Sequence, residues 1–151
     1  DMPLYKRIVV LMAVLALVFS AVNVATAHED PTAAIVKEMV ATAKAAVKPV
    51  RADVVKAAID AKEKAVILDV REPNEFAAGH LPGAINVPRG LLEFTIFKKI
   101  SDLNAKVYVY CKTAGRSALA TKTMKDLGYT NAVLGDFQYA DWVKAGHPVE
   151  R

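Results

Sequence analysis

The sequence predicts an α/β fold, a central and mainly parallel sheet flanked by helices, preceded by a leader and one extra helix. Three observations predict it. Short apolar runs alternate with helical segments of about ten residues, which is the signature of βαβ units. The runs are rich in β-branched and aromatic residues and are bounded by charge, Gly or Pro, so they read as buried strands. Finally, 151 residues, 54% hydrophobic and 24% charged, suit one domain with an appendage and argue against disorder. Collagenous, coiled-coil and multi-pass membrane classes are excluded, since only one stretch is long and apolar enough to span a bilayer.

That stretch comes first. Lys6 and Arg7 precede an uncharged run from Ile8 to Val22, and Ala25-Thr26-Ala27 follows. A positive region, an apolar region and a small-x-small site in this order predict a secretory signal over residues 1–27, cut after Ala27. The alternative is an uncleaved anchor with Lys6 and Arg7 on the cytoplasmic side. Both readings export the domain, to the periplasm or outside the cell, and membrane contact is expected only if the segment is retained.

Residues 28–48 follow as an Ala-rich stretch. Ile35, Met39, Ala43 and Val47 recur every four residues, which predicts an amphipathic helix closed by Pro49, with its stripe packed on the domain. The domain proper runs over 49–151. Asp53 is placed to cap a helix reaching about Lys62. Val66–Leu68 reads as a strand. Pro73 suits a helix start and Gly79 its end. Ala84–Val87 reads as a strand stopped by Pro88, and Leu91–Ile100 as a helix. Val107–Tyr110 is the clearest strand. Ser117–Leu127 is a helix ended by Gly128, Ala132–Leu134 a last strand, and Tyr139–Ala145 a closing helix.

Charge and cysteine content narrow the function. The net charge of +4 is too small to mark a nucleic-acid binder. A single cysteine forbids an internal disulfide and a multi-thiolate zinc site, and His28, His80 and His147 show no metal-ligand spacing. No metal and no cofactor are expected.

The lone thiol stands where chemistry is favoured. Cys111 directly follows the best strand, and in open α/β sheets ligands bind beyond the carboxyl ends of the strands. The intervening loop is Cys111-Lys112-Thr113-Ala114-Gly115-Arg116. Its small residues let the backbone curl so that N–H groups converge, with a helix N-terminus behind them, into an anion nest. Lys112, Arg116 and the helix dipole all favour a thiolate there. A buried, inert cysteine is the competing reading.

A second constellation bears on that choice. Residues 67–88 contain Asp69-Val70-Arg71, then Glu75-Phe76, then Gly79-His80-Leu81-Pro82-Gly83-Ala84. This run closely resembles the signature of rhodanese domains, and the loop Cys111–Arg116 with Ser117 resembles their active-site loop. Gly135, Trp142, Gly146 and Pro148 resemble C-terminal features of the same family. The resemblance covers about residues 49–149 and leaves the Ala-rich helix outside.

The resemblance implies a sulfurtransferase. Cys111 would take the outer sulfur of thiosulfate, or of a similar donor, as a persulfide and pass it to a thiol or cyanide acceptor. Cys111 and Arg116 are then the candidate catalytic residues. Lys112, Thr113, Ala114, Gly115 and Ser117 form the substrate-binding loop, Lys112 and Arg116 attracting the dianion. Asp69, Arg71, Glu72 and Glu75 read as an ion-pair network fixing the loop after the strand, with an acid/base pair as the alternative. His80 reads as a hydrogen-bonded turn residue and Trp142 as core. Phosphate-hydrolysing relatives carry Cys-x5-Arg, and the shorter Cys-x4-Arg here favours sulfur. Ala114 stands where many members have glycine, and a left-handed backbone there costs roughly 1–2 kcal/mol. A rhodanese-like binding module without catalysis and a thiol redox protein remain the rival functions.

Overall fold

The computed structural model describes residues 3–6 and 30–151, so the leader expected over 1–27 lies almost wholly outside the described residues. Residues 4–6 make one helical turn, with the Lys6 N–H donating to the Pro3 carbonyl at 2.9 Å. Among the described residues no helix is long and apolar enough to cross a membrane.

The body contains α1 (Pro31–Ala45), β1 (Pro49–Val50), α2 (Ala52–Asp60), β2 (Val66–Asp69), α3 (Pro73–Ala78), β3 (Ile85–Asn86), a 3-10 turn (Arg89–Leu91), α4 (Leu92–Lys99), β4 (Val107–Tyr110), α5 (Gly115–Asp126), β5 (Ala132–Gly135) and α6 (Tyr139–Lys144). The strands pair in the order β1-β5-β4-β2-β3, and every pairing is parallel. Val66 stands opposite Val107 and Asp69 opposite Tyr110, so the carboxyl ends of the two central strands emerge side by side.

Period-two alternation sorts each strand between two cores. Val107 and Val109 pack with Leu92, Ile96, Ala120 and Met124, between the sheet and α4 and α5. Tyr108 and Tyr110 point the other way, to Val55, Ala58 and Trp142 of α2 and α6. All four β4 residues are buried, as expected for a central parallel strand with helices on both faces.

Several expectations need correction. β1 was not anticipated: it is two residues long and one of them is Pro49, which lacks an N–H and suits only an edge. Asp53 does not cap α2. Arg51 is the cap residue, and the Asp53 carboxylate instead takes hydrogen bonds from the Arg51 guanidinium, at 3.1 and 2.5 Å, and from the Val54 N–H. α5 starts at Gly115, two residues before Ser117. α1 ends at Ala45, and its apolar stripe is only half covered. Ala43 is 1% exposed and packs on Ala118 and Leu134, joined by Val40 and Val47. Ile35 and Met39 are 59% and 54% exposed.

Candidate active site

β2 and β4 deliver the two halves of the site. Beyond β2 the chain turns through Val70 and Arg71. Asp69 is wholly buried, and its carboxylate holds the Arg71 guanidinium at 2.6–3.0 Å as well as the Arg71 N–H at 2.9 Å. The same guanidinium donates to the Gly79 carbonyl at 2.7 Å and stacks over the Tyr139 ring at 4.1 Å. Burial alone would lower the Arg71 pKa, but the Asp69 hydrogen bonds and charge outweigh it and the net direction is up. Burial likewise pushes the Tyr110 phenol up, with the Asp69 charge adding to it. Tyr110 therefore stays a neutral hydroxyl, accepting the Leu81 N–H at 3.1 Å.

α3 carries the second support. Glu72 and Glu75 form a reciprocal capping box at its start, with Pro73 as its first residue. Grouping Glu75 with Asp69 and Arg71 needs correction. Its carboxylate reaches Arg116 instead, at 2.6 and 2.9 Å. The Arg116 hydrogen bonds hold the Glu75 carboxyl down at about 2, and Glu75 raises Arg116 in return. His80 is half-buried. Its Nδ1 lies 3.0 Å from the Phe76 carbonyl and its ring stacks on Phe76 at 3.7 Å. Glu150 exchanges two backbone hydrogen bonds with it, each 2.9 Å.

Beyond β4, Cys111 is fully buried. Its Sγ accepts the Ser117 N–H at 3.3 Å and lies 3.4 Å from Ser117 Oγ. Ser117 lies in the first turn of α5, so the sulfur faces the positive end of that helix. The loop between them closes because Ala114 adopts φ 67°, ψ −5°, the left-handed conformation that glycine usually fills. Lys112 and Thr113 are exposed at the rim, and the Lys112 carbonyl accepts the Tyr139 N–H at 3.0 Å. Gly135 lies under the loop region for a steric reason: a Cβ there would sit 2.8 Å from Phe137 and 3.1 Å from the Val109 carbonyl.

The structure thus gathers Cys111, Ser117, Ala114, Gly115 and Arg116 at one helix start and ties Arg116 to Glu75 across 41 residues of sequence. Asp69, Arg71 and His80 stand apart from the sulfur as the frame of the neighbouring turn. Two contributors escaped the sequence reading. Tyr139 covers Arg71 and fastens Lys112, and Lys44 of α1 pairs with Asp136 at 2.6 Å beside a cavity of about 450 Å³ that Thr113 and Ala114 also line. Neither has a local signal, because each acts across the fold. Among the described residues no cluster of His, Cys, Asp and Glu is arranged to hold a metal ion.

Comparisons with known proteins agree with this geometry. The rhodanese-like domain family model matches residues 51–145. The thiosulfate sulfurtransferase PspE of Escherichia coli is 34% identical over 64 residues, 42% of this chain and 62% of that protein. The thiosulfate:glutathione sulfurtransferase of Saccharomyces cerevisiae is 34% identical over 94 residues, 54% of this chain and 66% of that one. The human single-domain sulfurtransferase TSTD1 superposes with a TM-score of 0.56 at 28% identity, covering 64% of this chain and 95% of that one. Three of the curated relatives that it matches are spanned over only 44%, 52% and 62% of their own lengths.

Proposed function

The chain belongs to the rhodanese-like domain family, and on that premise we propose that it is a sulfurtransferase working through a persulfide on Cys111. The observation that carries the reading is the placement of the Cys111 sulfur against the Ser117 N–H at the start of α5, within a loop that holds four residues between cysteine and arginine. A thiolate there is stabilised by that N–H and by the helix dipole.

Thiosulfate is the proposed donor. The Cys111 thiolate attacks its outer sulfur, the S–S bond of thiosulfate breaks, and sulfite leaves with the electron pair. A thiolate or cyanide acceptor then attacks the outer sulfur of the persulfide, and the electron pair of that S–S bond returns to Cys111 as a thiolate. Lys112, exposed at the rim, supplies positive charge for the incoming dianion. Arg116 spends its fork on Glu75, so its part is to hold the loop in shape. The small ring formed by Cys-x4-Arg suits one sulfur atom better than a phosphoryl group. The apolar run behind Lys6 and Arg7 supports export, with the domain acting in the periplasm or outside the cell.

The test is intact-mass analysis after thiosulfate treatment. The protein should gain one sulfur atom and lose it again to cyanide. Cys111→Ser should fold, gain nothing and transfer nothing, since a serine hydroxyl stays protonated and Cys111 is the only thiol in the chain. A Cys111→Ser protein that kept most of the wild-type rate would leave the non-catalytic binding module as the better account.

A further inference from the structure

The cysteine loop is held on one side by the Arg116–Glu75 pair. Its other side needs a support too, because a left-handed turn such as that at Ala114 persists only where its surroundings enforce it. That side faces α1, which lies before residues 51–145, the stretch shared with the family. The Val40 side chain lies against Gly115, the first residue of α5: a Cβ on Gly115 would stand 3.8 Å from Val40 Cγ2. Ala43, 1% exposed, packs on Ala118, three residues further along α5. We propose that Val40 and Lys44 of α1 are positioning residues for sulfur transfer, Val40 by bracing the cysteine loop at Gly115 and Lys44 by holding α1 in place through Asp136. This rests on the sulfurtransferase reading and adds to it a segment outside the family match.

Helical geometry joins the two roles. Residues 40 and 44 are four apart and share one face of α1. Val40 therefore meets α5 while Lys44, one turn on, reaches the loop after β5 and pairs with Asp136 at 2.6 Å. Asp136 is itself fixed, since its N–H donates to the Val50 carbonyl at 2.9 Å. β5 ends at Gly135, just before it, so the far end of the tie is anchored on the sheet. The side chains of the pair are each 37% exposed, and such a pair contributes little to stability by itself. Its effect is on geometry. The Cys111 sulfur accepts the Ser117 N–H at 3.3 Å, and Ser117 is flanked by Gly115 and Ala118, which α1 contacts. A shift of α1 moves the donor that faces the sulfur.

Asp136 distinguishes this role from a simple pull of the Lys44 charge on the thiosulfate dianion. If charge alone mattered, Asp136→Lys would speed loading, whereas a broken tie slows it.

Intact-mass kinetics of sulfur loading on Cys111, over a range of thiosulfate concentrations, test this on the full chain. Val40→Ala should load several-fold more slowly at saturating thiosulfate, with the half-saturating concentration little changed because Lys112 at the rim is untouched. Lys44→Glu and Asp136→Lys should both slow loading, and the double variant, which restores the pair in reverse, should recover most of the rate. Lys44→Arg keeps the pair and should load as the wild type does. Circular dichroism checks that each variant is folded, and the charge variants, at a partly exposed pair, carry the test should Val40→Ala fail to fold. Folded single variants that load at the wild-type rate, an Asp136→Lys protein faster than the wild type, or a double variant no better than its parents would each overturn the positioning role. A wild type that gained no sulfur at all would instead bring down the sulfurtransferase reading, and this role with it.

Discussion

Two of the arginine–carboxylate pairs, Asp69–Arg71 and Glu75–Arg116, stand near the carboxyl ends of β2 and β4, and they behave as opposites. Asp69–Arg71 is sealed in the core, with side chains 0% and 4% exposed. Glu75–Arg116 stands at the surface, 25% and 32% exposed. The buried pair joins residues two apart and braces one turn. The outer pair joins residues 41 apart and fastens the cysteine loop to α3. The same chemistry thus serves as permanent scaffold in one place and as an adjustable tie in the other, and water access decides which.

The sharpest way to break the comparison is Asp69→Ala. It leaves the Arg71 charge buried without its partner, which costs about 3–5 kcal/mol. Urea unfolding should show it, and a loss below about 1 kcal/mol would mean that Arg71 finds water after all. Glu75→Gln is the matching change at the outer pair. It should cost no more than about 1 kcal/mol of stability, yet slow sulfur loading of Cys111 several-fold, because Arg116 is freed and the loop loses its tie. Equal losses of stability in the two variants would erase the distinction.

Acid sharpens the same contrast. The Glu75 carboxyl sits at about 2 in the folded protein, below its ordinary value of 4.5. A depressed carboxylate stabilises the fold fully above 4.5, and the contribution fades as the pH falls from there toward 2. Stability measured over that window should fall more in the wild type than in Glu75→Gln. A parallel decline in both would remove Glu75 from the account. The smallest expected effect is that of Ala114→Gly. Relief of the left-handed strain returns roughly 1–2 kcal/mol. Greater freedom of the unfolded chain takes back about 0.4–1 kcal/mol, and the lost burial of a methyl group about 0.8 kcal/mol. The melting temperature should barely move, and a large shift in either direction would show that the loop is held by something other than these terms.

The contrast also explains what was legible in the sequence. Val107–Tyr110 and the loop after it could be read because a central strand is apolar throughout and its active residue follows directly. Asp69 and Arg71 could be read as partners because they are neighbours. The link from Glu75 to Arg116 could not, since no periodicity reports which carboxylate reaches an arginine 41 residues away. β1 was hidden by its length and its proline. The open half of the α1 stripe misled because apolar spacing predicts a face without saying that anything covers it.

The strand order has a further consequence, for the time course of folding. β1 pairs only with β5, Pro49 opposite Leu134, so the first strand of the sheet waits for the last to be synthesised. Closing so long a loop is slow relative to local contacts. An emerging chain can assemble β2, β3 and β4 early, but β1, with α1 just before it, stays undocked until Ala132 and its neighbours are free. The fold is therefore completed in one late step, and until then the Leu134 site on which Ala43 and β1 settle does not exist.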